Sequence, residues 1–557
     1  MSEAKRIERF DLVVAGGLAG GYLVLLLATV RSLGYMRDEG FYVYAARVLE
    51  LWLDRVSVEG GEAFSRVNID HFWNPIHEHP GLMKLLFALS HRLFHERLPL
   101  FSESGTAYRL PGMLMASLAV GVTYLWGREA LGRTAGLVSA LSFAWMPRVF
   151  FHSHLACLDM AIASMWLVTS YVYLRAFTSG RLGLVIAVGV LYGLFLDTKH
   201  NAWLFPFALV GHLLFVRSYE KWKALPRTGA LVPWALLSVL GLGPLVLWLV
   251  WPWLWFDTGE RVLAWLKFHL GHDYYNMEFL GRTYWKPPMP RLYAWVMTLA
   301  TVPAVTLALF AVGLFETTRA LLRGVSGERA ASDALWLLGL GVSYAPWLSS
   351  DTPIFGGTKH WITAYPFLCL LAGRGFALAR DELVKHFFPG GRRVPRVEGA
   401  LAAACLLGPF AMTLHSHPWG LSFYTPLVGG APGAASLGLN RTFWGYTTGS
   451  LSAELDRRAP PGANVYVHDT ALQSFEIMRG DGRIRPDLVG TLALPSSTLA
   501  LYHHEPHMSR VEYETWILYG TVAPVAVGAY DGVPVTWLYE RPVSLERQPS
   551  PGNIRAP

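Results

Sequence analysis

Two carboxylates stand side by side in Gly34-Tyr35-Met36-Arg37-Asp38-Glu39-Gly40-Phe41-Tyr42, just beyond the first long apolar run of the chain. An acidic pair so close to a spanning helix is costly in lipid and useful in a water-filled cleft. In a cleft, one carboxylate can take a proton from an attacking hydroxyl or amine while its neighbour orients it or binds the substrate. The pair also suits the first turn of a helix, where acidic side chains meet the positive end of the dipole. Asp159 follows in His152-Ser153-His154-Leu155-Ala156-Cys157-Leu158-Asp159-Met160, near the outer end of another apolar run. It is a candidate for chemistry, a helix start, or a partner for Arg148. Lys199, in Phe195-Leu196-Asp197-Thr198-Lys199-His200-Asn201, could neutralise a lipid phosphate, anchor the helix at the interface, or pair with Asp197.

Other polar groups are less pointed. His77-Glu78-His79 has His-x-His spacing but no HExxH, so no metal is expected there, and His79 reads as a loop or substrate-positioning residue. The loop 253–290 holds Asp257, His269, His272, Arg282 and Tyr284 among aromatics, a mixture suited to a sugar or lipid headgroup and equally to an interfacial belt. Thr358-Lys359-His360-Trp361 could hold a phosphate or simply end a helix. No P-loop, no GxGxxG after a strand and no Ser-His-Asp order occurs, so nucleotide hydrolysis is not indicated.

The elements that must position these residues are membrane helices. Of 557 residues, 53% are hydrophobic and only 16% charged, against about 25% in ordinary soluble chains. Spans of ~20 apolar residues are expected near 11–32, 107–126, 134–150, 155–177, 183–197, 200–217, 228–252, 292–316, 333–349, 361–379 and 396–414. The first follows Lys5, Arg6 and Arg9, is longer than the apolar core of a cleavable signal, and reads as an uncleaved anchor with a cytoplasmic N-terminus. The loops 127–133, 175–181, 217–227, 318–329 and 380–396 are all basic, as cytoplasmic loops are, while the short connections around Arg148 and Lys199 are nearly bare of charge. The sequence pI of about 9.2 is thereby explained by topology in preference to nucleic-acid binding. The same assignment puts Asp38, Asp159, Asp197, the 257–290 loop and Asp351 on one outer face. Cys157, Cys369 and Cys405 lie in or beside apolar runs with no CxxC, which argues against a disulfide framework or thiolate site.

Within the outer loop 33–106, two amphipathic helices are expected, around 41–52 and 82–93. From about His415 the long apolar runs stop and short β-rich runs appear at 464–468, 525–529 and 533–539. The expected organisation is therefore an α-helical polytopic membrane domain over 1–414, with about eleven spans, and a small α/β extracytoplasmic domain over 415–557.

Several stretches resemble the lipid-carrier-dependent GT-C glycosyltransferases, the group that includes protein O-mannosyltransferases of glycosyltransferase family 39 and the aminoarabinose transferase that modifies lipid A. Asp38-Glu39 with Phe41-Tyr42-x-Tyr44-Ala45 is similar to the acidic signature of the first outer loop. Glu78-His79-Pro80-Gly81 is similar to its His-Pro-Pro element, with Gly81 in place of the second proline. Arg109-Leu110-Pro111, Asp159, Thr198-Lys199, Phe279-Leu280-Gly281 with Pro287-Pro288, His417-Pro418 through Gly430, and Trp444-Gly445 follow in the family's order. The resemblance implies a polyprenyl-phosphate sugar as donor, an acceptor protein or envelope glycolipid outside a plasma (inner) membrane, and inversion at the anomeric carbon. It implies Asp38 as base, with Glu39 and Asp159 as further catalytic candidates. Lys199, His79, Arg109, Arg282, Tyr284 and His360 are the implied substrate or lipid-phosphate residues, with no tightly bound cofactor or metal. The alternative is a polyprenyl-lipid or solute transporter, which would want inverted repeats around a midplane site; the chain displays neither.

Overall fold

The computed structural model describes residues 7–275, 277–387, 394–444, 451–467, 471–505 and 508–542. Lys5, Arg6, Arg392, Arg393, Gly445 and His468, used in the readings above, lie outside them. The chain opens with α1 (Arg9–Thr29), then α2 (Arg37–Glu59), α3 (Arg66–Trp73) and α4 (Leu82–His91), followed by α5 (Ser104–Leu131), α6 (Arg133–Ala144), α7 (Pro147–Ser153), α8 (Asp159–Ser179) and α9 (Leu182–Leu196). Next come α10 (Phe205–Trp222), α11 (Trp234–Val250), α12 (Thr258–Leu270) and a short antiparallel hairpin of β1 (Met277–Phe279) and β2 (Arg282–Tyr284). Five further helices, α13 (Tyr293–Thr301), α14 (Ala304–Arg323), α15 (Gly327–Tyr344), α16 (Tyr365–Phe387) and α17 (Val394–Ser416), complete the long helical part.

Every expected span falls on one of these helices, but proline breaks two of them. The run at 134–150 divides into α6 and α7, which meet at 71° just before Pro147. The run at 292–316 divides into α13 and α14 at Pro303. A proline cannot donate the backbone hydrogen bond that would carry a helix through. Among the described residues seven helices are long and apolar enough to cross a membrane, or eight if the bent pair counts as one span, while α9 and α11 are shorter apolar helices. Burial sorts them. α5, α8 and α16 are enclosed along most of their length, whereas α1, α14 and α17 bury only 22–28% of their apolar windows. α14 and α16 approach so closely that a Cβ added to Gly313 or Gly375 would collide with the Leu371 or Leu309 carbonyl. Small residues let two helix backbones approach that closely in an apolar medium.

The two amphipathic helices expected before residue 106 are α2 and α4. Beyond α17 come α18 (Gly430–Ser436), α19 (Ser452–Arg458), β3 (Asn464–Val467), α20 (Leu472–Gly480), β4 (Val489–Thr491), β5 (Leu499–His503), α21 (Ser509–Tyr519), β6 (Ala526–Tyr530) and β7 (Val533–Glu540). The strands form one sheet in the order β4-β3-β5-β7-β6, with β3 parallel to β4 and β5 and with β7 antiparallel to β5 and β6.

This α/β layer is tied to the helical part at the start of α2 and α5. Ser474 Oγ donates to the Met36 carbonyl, and Gly40 lies so close to Gln473 and Ser474 that a Cβ would need them to shift. Asp481 accepts hydrogen bonds from Ser104 N–H (2.8 Å), Gly105 N–H (3.2 Å) and Ser104 Oγ (2.7 Å), which caps α5, and from the Tyr35 hydroxyl.

Candidate active site

Glu39 and Arg109 are both fully buried. Arg109 Nε donates to Glu39 Oε1 at 2.7 Å and its Nη2 to Oε2 at 2.8 Å, a fork-on-fork pair. The same carboxylate accepts Ala156 N–H (3.0 Å) and Met36 N–H (2.9 Å), the latter closing the first turn of α2. Arg109 also donates to the Val30 (3.2 Å) and Gly34 carbonyls and lies over the Tyr35 ring. Both Glu39 oxygens are thus engaged, so geometry makes this pair the anchor that fixes where α2 begins.

Asp38, one residue earlier, has different surroundings. Lys359 Nζ donates to its Oδ2 at 2.9 Å, and Arg37 Nε lies 3.6 Å from Oδ1. Burial acts to raise the Asp38 carboxyl's pKa, but Lys359 and Arg37 outweigh it and hold the group well below the usual carboxylate range. Asp159 begins α8. Its Oδ1 accepts from Lys199 Nζ at 2.7 Å, and His152 Nδ1 lies 3.8 Å from its Oδ2. Lys199 also acts electrostatically on Asp38, and Lys359 on Asp159, so two acids and two lysines form one charged group.

The partners considered for these residues in the sequence are corrected here. Asp159 pairs with Lys199, whereas Arg148 donates to the Phe423 carbonyl (3.3 Å) and sits between the Tyr424 and Phe443 rings. Asp197 accepts Gly81 N–H at 2.9 Å instead of binding Lys199. That bond accounts for the departure from the family's second proline, since proline has no N–H to give.

His79 packs against Tyr42 at a ring separation of 5.8 Å, close enough for Asp38 to act on it. Lys84 Nζ donates to the His79 carbonyl (2.5 Å) and to that of Ile76. Beside His79 stand His200 and His269, stacked on each other at 3.9 Å. One donor atom from each of the three lies within 4.8 Å of the others. Burial pushes His79 well below the ordinary histidine range and His269 to about 4, which keeps both imidazoles neutral. Three neutral imidazoles are a donor set that could hold a divalent cation. His77 stands apart from this trio, stacked on Trp253.

His360 is engaged in its own turn. Its Nε2 accepts Phe355 N–H (3.3 Å) and Gly356 N–H (3.0 Å), and burial with Lys359 beside it keeps the ring neutral. It shapes the turn that delivers Lys359, the cation the sequence reading passed over inside a motif it had singled out. Arg282 and Tyr284 form a cation–π pair at 4.9 Å on β2; among the described residues no hydrogen bond or ion pair joins either to the charged group.

No curated protein matches the chain. Among solved structures it is similar to ArnT from Cupriavidus metallidurans, both in the apo state and bound to undecaprenyl phosphate. Both are 15% identical with a TM-score of 0.49; the apo form covers 94% of this chain and 97% of that one, the bound form 97% and 99%. It is also similar to the Archaeoglobus fulgidus oligosaccharyltransferase, at 12% identity and a TM-score of 0.47 over 92% of this chain and 71% of that one. Residues 78–268 fit the model of the dolichyl-phosphate-mannose-protein mannosyltransferase family, and on that stretch the chain is similar to the GT-C glycosyltransferases.

Proposed function

We propose that the chain is an integral membrane glycosyltransferase that moves a sugar from a polyprenyl-phosphate donor to an acceptor on the outer face of the membrane. The observation that carries the reading is the charged group itself: Asp38 ionised against Lys359, beside Asp159 paired with Lys199. The family match over 78–268, which includes His79, Arg109, Asp159 and Lys199, supports the donor class.

In this reading the acceptor oxygen or nitrogen attacks the anomeric carbon and gives its proton to Asp38. The bond from that carbon to the phosphate oxygen breaks, its electrons leave with the polyprenyl phosphate, and direct displacement inverts the centre. Lys199 and Lys359 stabilise the charge that grows on the departing phosphate. Each lysine holds a carboxylate through one point charge, so an arriving phosphate can draw it away. When Lys359 turns toward the phosphate, Asp38 loses its main counter-charge and becomes a stronger base. Glu39 and Arg109 keep Asp38 in place, and His79 borders the same space. Orientation follows the basic loops: N-terminus cytoplasmic, residues 1–414 the membrane catalytic part, and 415–557 outside.

The test is comparative mass spectrometry of envelope glycolipids and glycoproteins from cells with and without the protein, repeated with Asp38→Asn. Loss of one hexose- or pentose-sized mass from a defined acceptor, restored by wild type and not by the variant, is expected. An unchanged glycan inventory would overturn the reading.

A further inference from the structure

On the side of α2 away from its first turn, α2 meets α4 around a cavity of about 380 Å³. Its walls include Tyr44, Arg47, Glu50, Asp54, Arg92 and Glu96. Residues Arg92–Arg97 continue α4 as a π-helix, and the wider turn of that helix places Glu96 on the same side as His91. One donor atom each of Glu50, His91 and Glu96 lies within 4.8 Å of the others.

The contact between these groups has the separation of a hydrogen bond without its direction. His91 Nδ1 is 2.9 Å from Glu50 Oε1 and 3.6 Å from Glu96 Oε1. Yet this buried nitrogen makes no hydrogen bond to either. An imidazole nitrogen and two carboxylates that approach one another without pointing at one another are arranged as ligands around a shared centre. Their charges agree. Arg92 is committed to Asp54 (2.6 Å) and to the Glu50 carbonyl (3.3 Å) and reaches Glu96 only at 4.0 Å. Among the described residues no lysine or arginine pairs with the Glu50 carboxylate, and Glu96 meets one only at the 4.0 Å of Arg92. The outer contacts also fit. The Tyr108 hydroxyl donates to Glu50 Oε1 at 3.0 Å while its ring lies flat on His91 at 4.3 Å, and His95 stacks on His91 at 4.9 Å. Metal-ligating side chains are commonly fixed by such neighbours.

We propose that Glu50, His91 and Glu96 form a site for a first-row divalent cation such as Zn²⁺ or Mn²⁺, with its open positions toward the cavity, clamping α2 to α4. Mixed imidazole and carboxylate donors select that class of ion. The site is separate from the His79, His200 and His269 trio, and it does not depend on the transferase reading.

The experiment uses the full-length protein in detergent, stripped with a chelator, re-equilibrated with Zn²⁺ or Mn²⁺ and freed of excess ion. Bound metal is counted by mass spectrometry and thermal unfolding is followed with and without the ion. Glu96→Gln and His91→Ala should each bind one equivalent fewer than wild type, and Glu96→Gln should still lose that equivalent on a His269→Ala background, where the histidine trio is disabled. The ion should raise the wild-type Tm by several degrees more than that of Glu96→Gln. Glu96 is half-exposed, so its variant keeps the fold and decides the matter even if His91→Ala does not. Equal metal content in wild type and Glu96→Gln, or no metal bound by wild type, would overturn the proposal.

Discussion

Glu39 and Asp38 share one turn of α2, and each meets a cation delivered from farther along the chain, Arg109 for Glu39 and Lys359 for Asp38. The Glu39 pair is sealed: both partners have no exposure, two parallel bonds join them, and backbone N–H groups fill the remaining acceptor sites. The Asp38 pair is a single contact at the edge of accessible space, with a fifth of the Asp38 side chain exposed. A guanidinium fork fixes geometry, whereas an ammonium on a flexible stem holds charge and can let go. On the proposed reading, neighbouring carboxylates are thus divided between a structural task and a chemical one by the cation each is given.

The severest way to test that division is Arg109→Ala. It leaves Glu39 as an uncompensated buried charge, and loss of about 3–5 kcal/mol of stability is expected, read as poor yield of folded protein and a lowered Tm. Asp38→Asn should lose less stability than Arg109→Ala, because the Asp38–Lys359 pair is a single, partly exposed contact, while transfer falls by about 10²–10⁴, the range for a lost general base. If the two variants lose stability equally, the comparison collapses. Lys359→Met sharpens it further. Turnover should fall by about 10², as for loss of a group that stabilises developing negative charge. The acid limb of the residual pH–rate profile should also move to higher pH, because the Asp38 carboxyl returns toward its ordinary value once its largest counter-charge is gone. The sign is set by linkage. With its folded pKa depressed, Asp38 contributes stability above the usual aspartate value of about 3.9 and loses it as pH falls below that. That loss on acidification should be smaller in Lys359→Met. The smallest effect is expected of Lys199→Ala, a rise of about tenfold in KM for the donor with kcat less affected, the pattern of lost ground-state binding.

The helices were readable because a span needs a long run of apolar residues, and prolines 147 and 303 mark where two runs break. The strand runs at 464–468, 525–529 and 533–539 were readable from their β-branched and aromatic residues, but β4, at three residues, was too short to mark itself. In the site, sequence marked the acids and Lys199 by type and depth. It had no means of matching cation to acid, since Lys359 lies 321 residues from Asp38 and local neighbourhood offered Arg148 to Asp159 and Asp197 to Lys199. The imidazole trio was hidden in the same way: His79 precedes α4, His200 opens the short 3-10 turn before α10 and His269 lies in the last turn of α12, so they share no local spacing. Nor could sequence show that His360 Nε2 is taken up by the Phe355 and Gly356 N–H groups.

Asp481 closes the open end of α5, and Ser474 grips the residue before Arg37. The α/β layer therefore behaves as part of the frame, not as a detachable accessory. An exchange of the α/β layer has to keep 473–483 native, or graft its counterparts at 35–40 and 104–105 along with it. A cut near residue 415 would yield a helical part whose two most important helix starts have lost their stops.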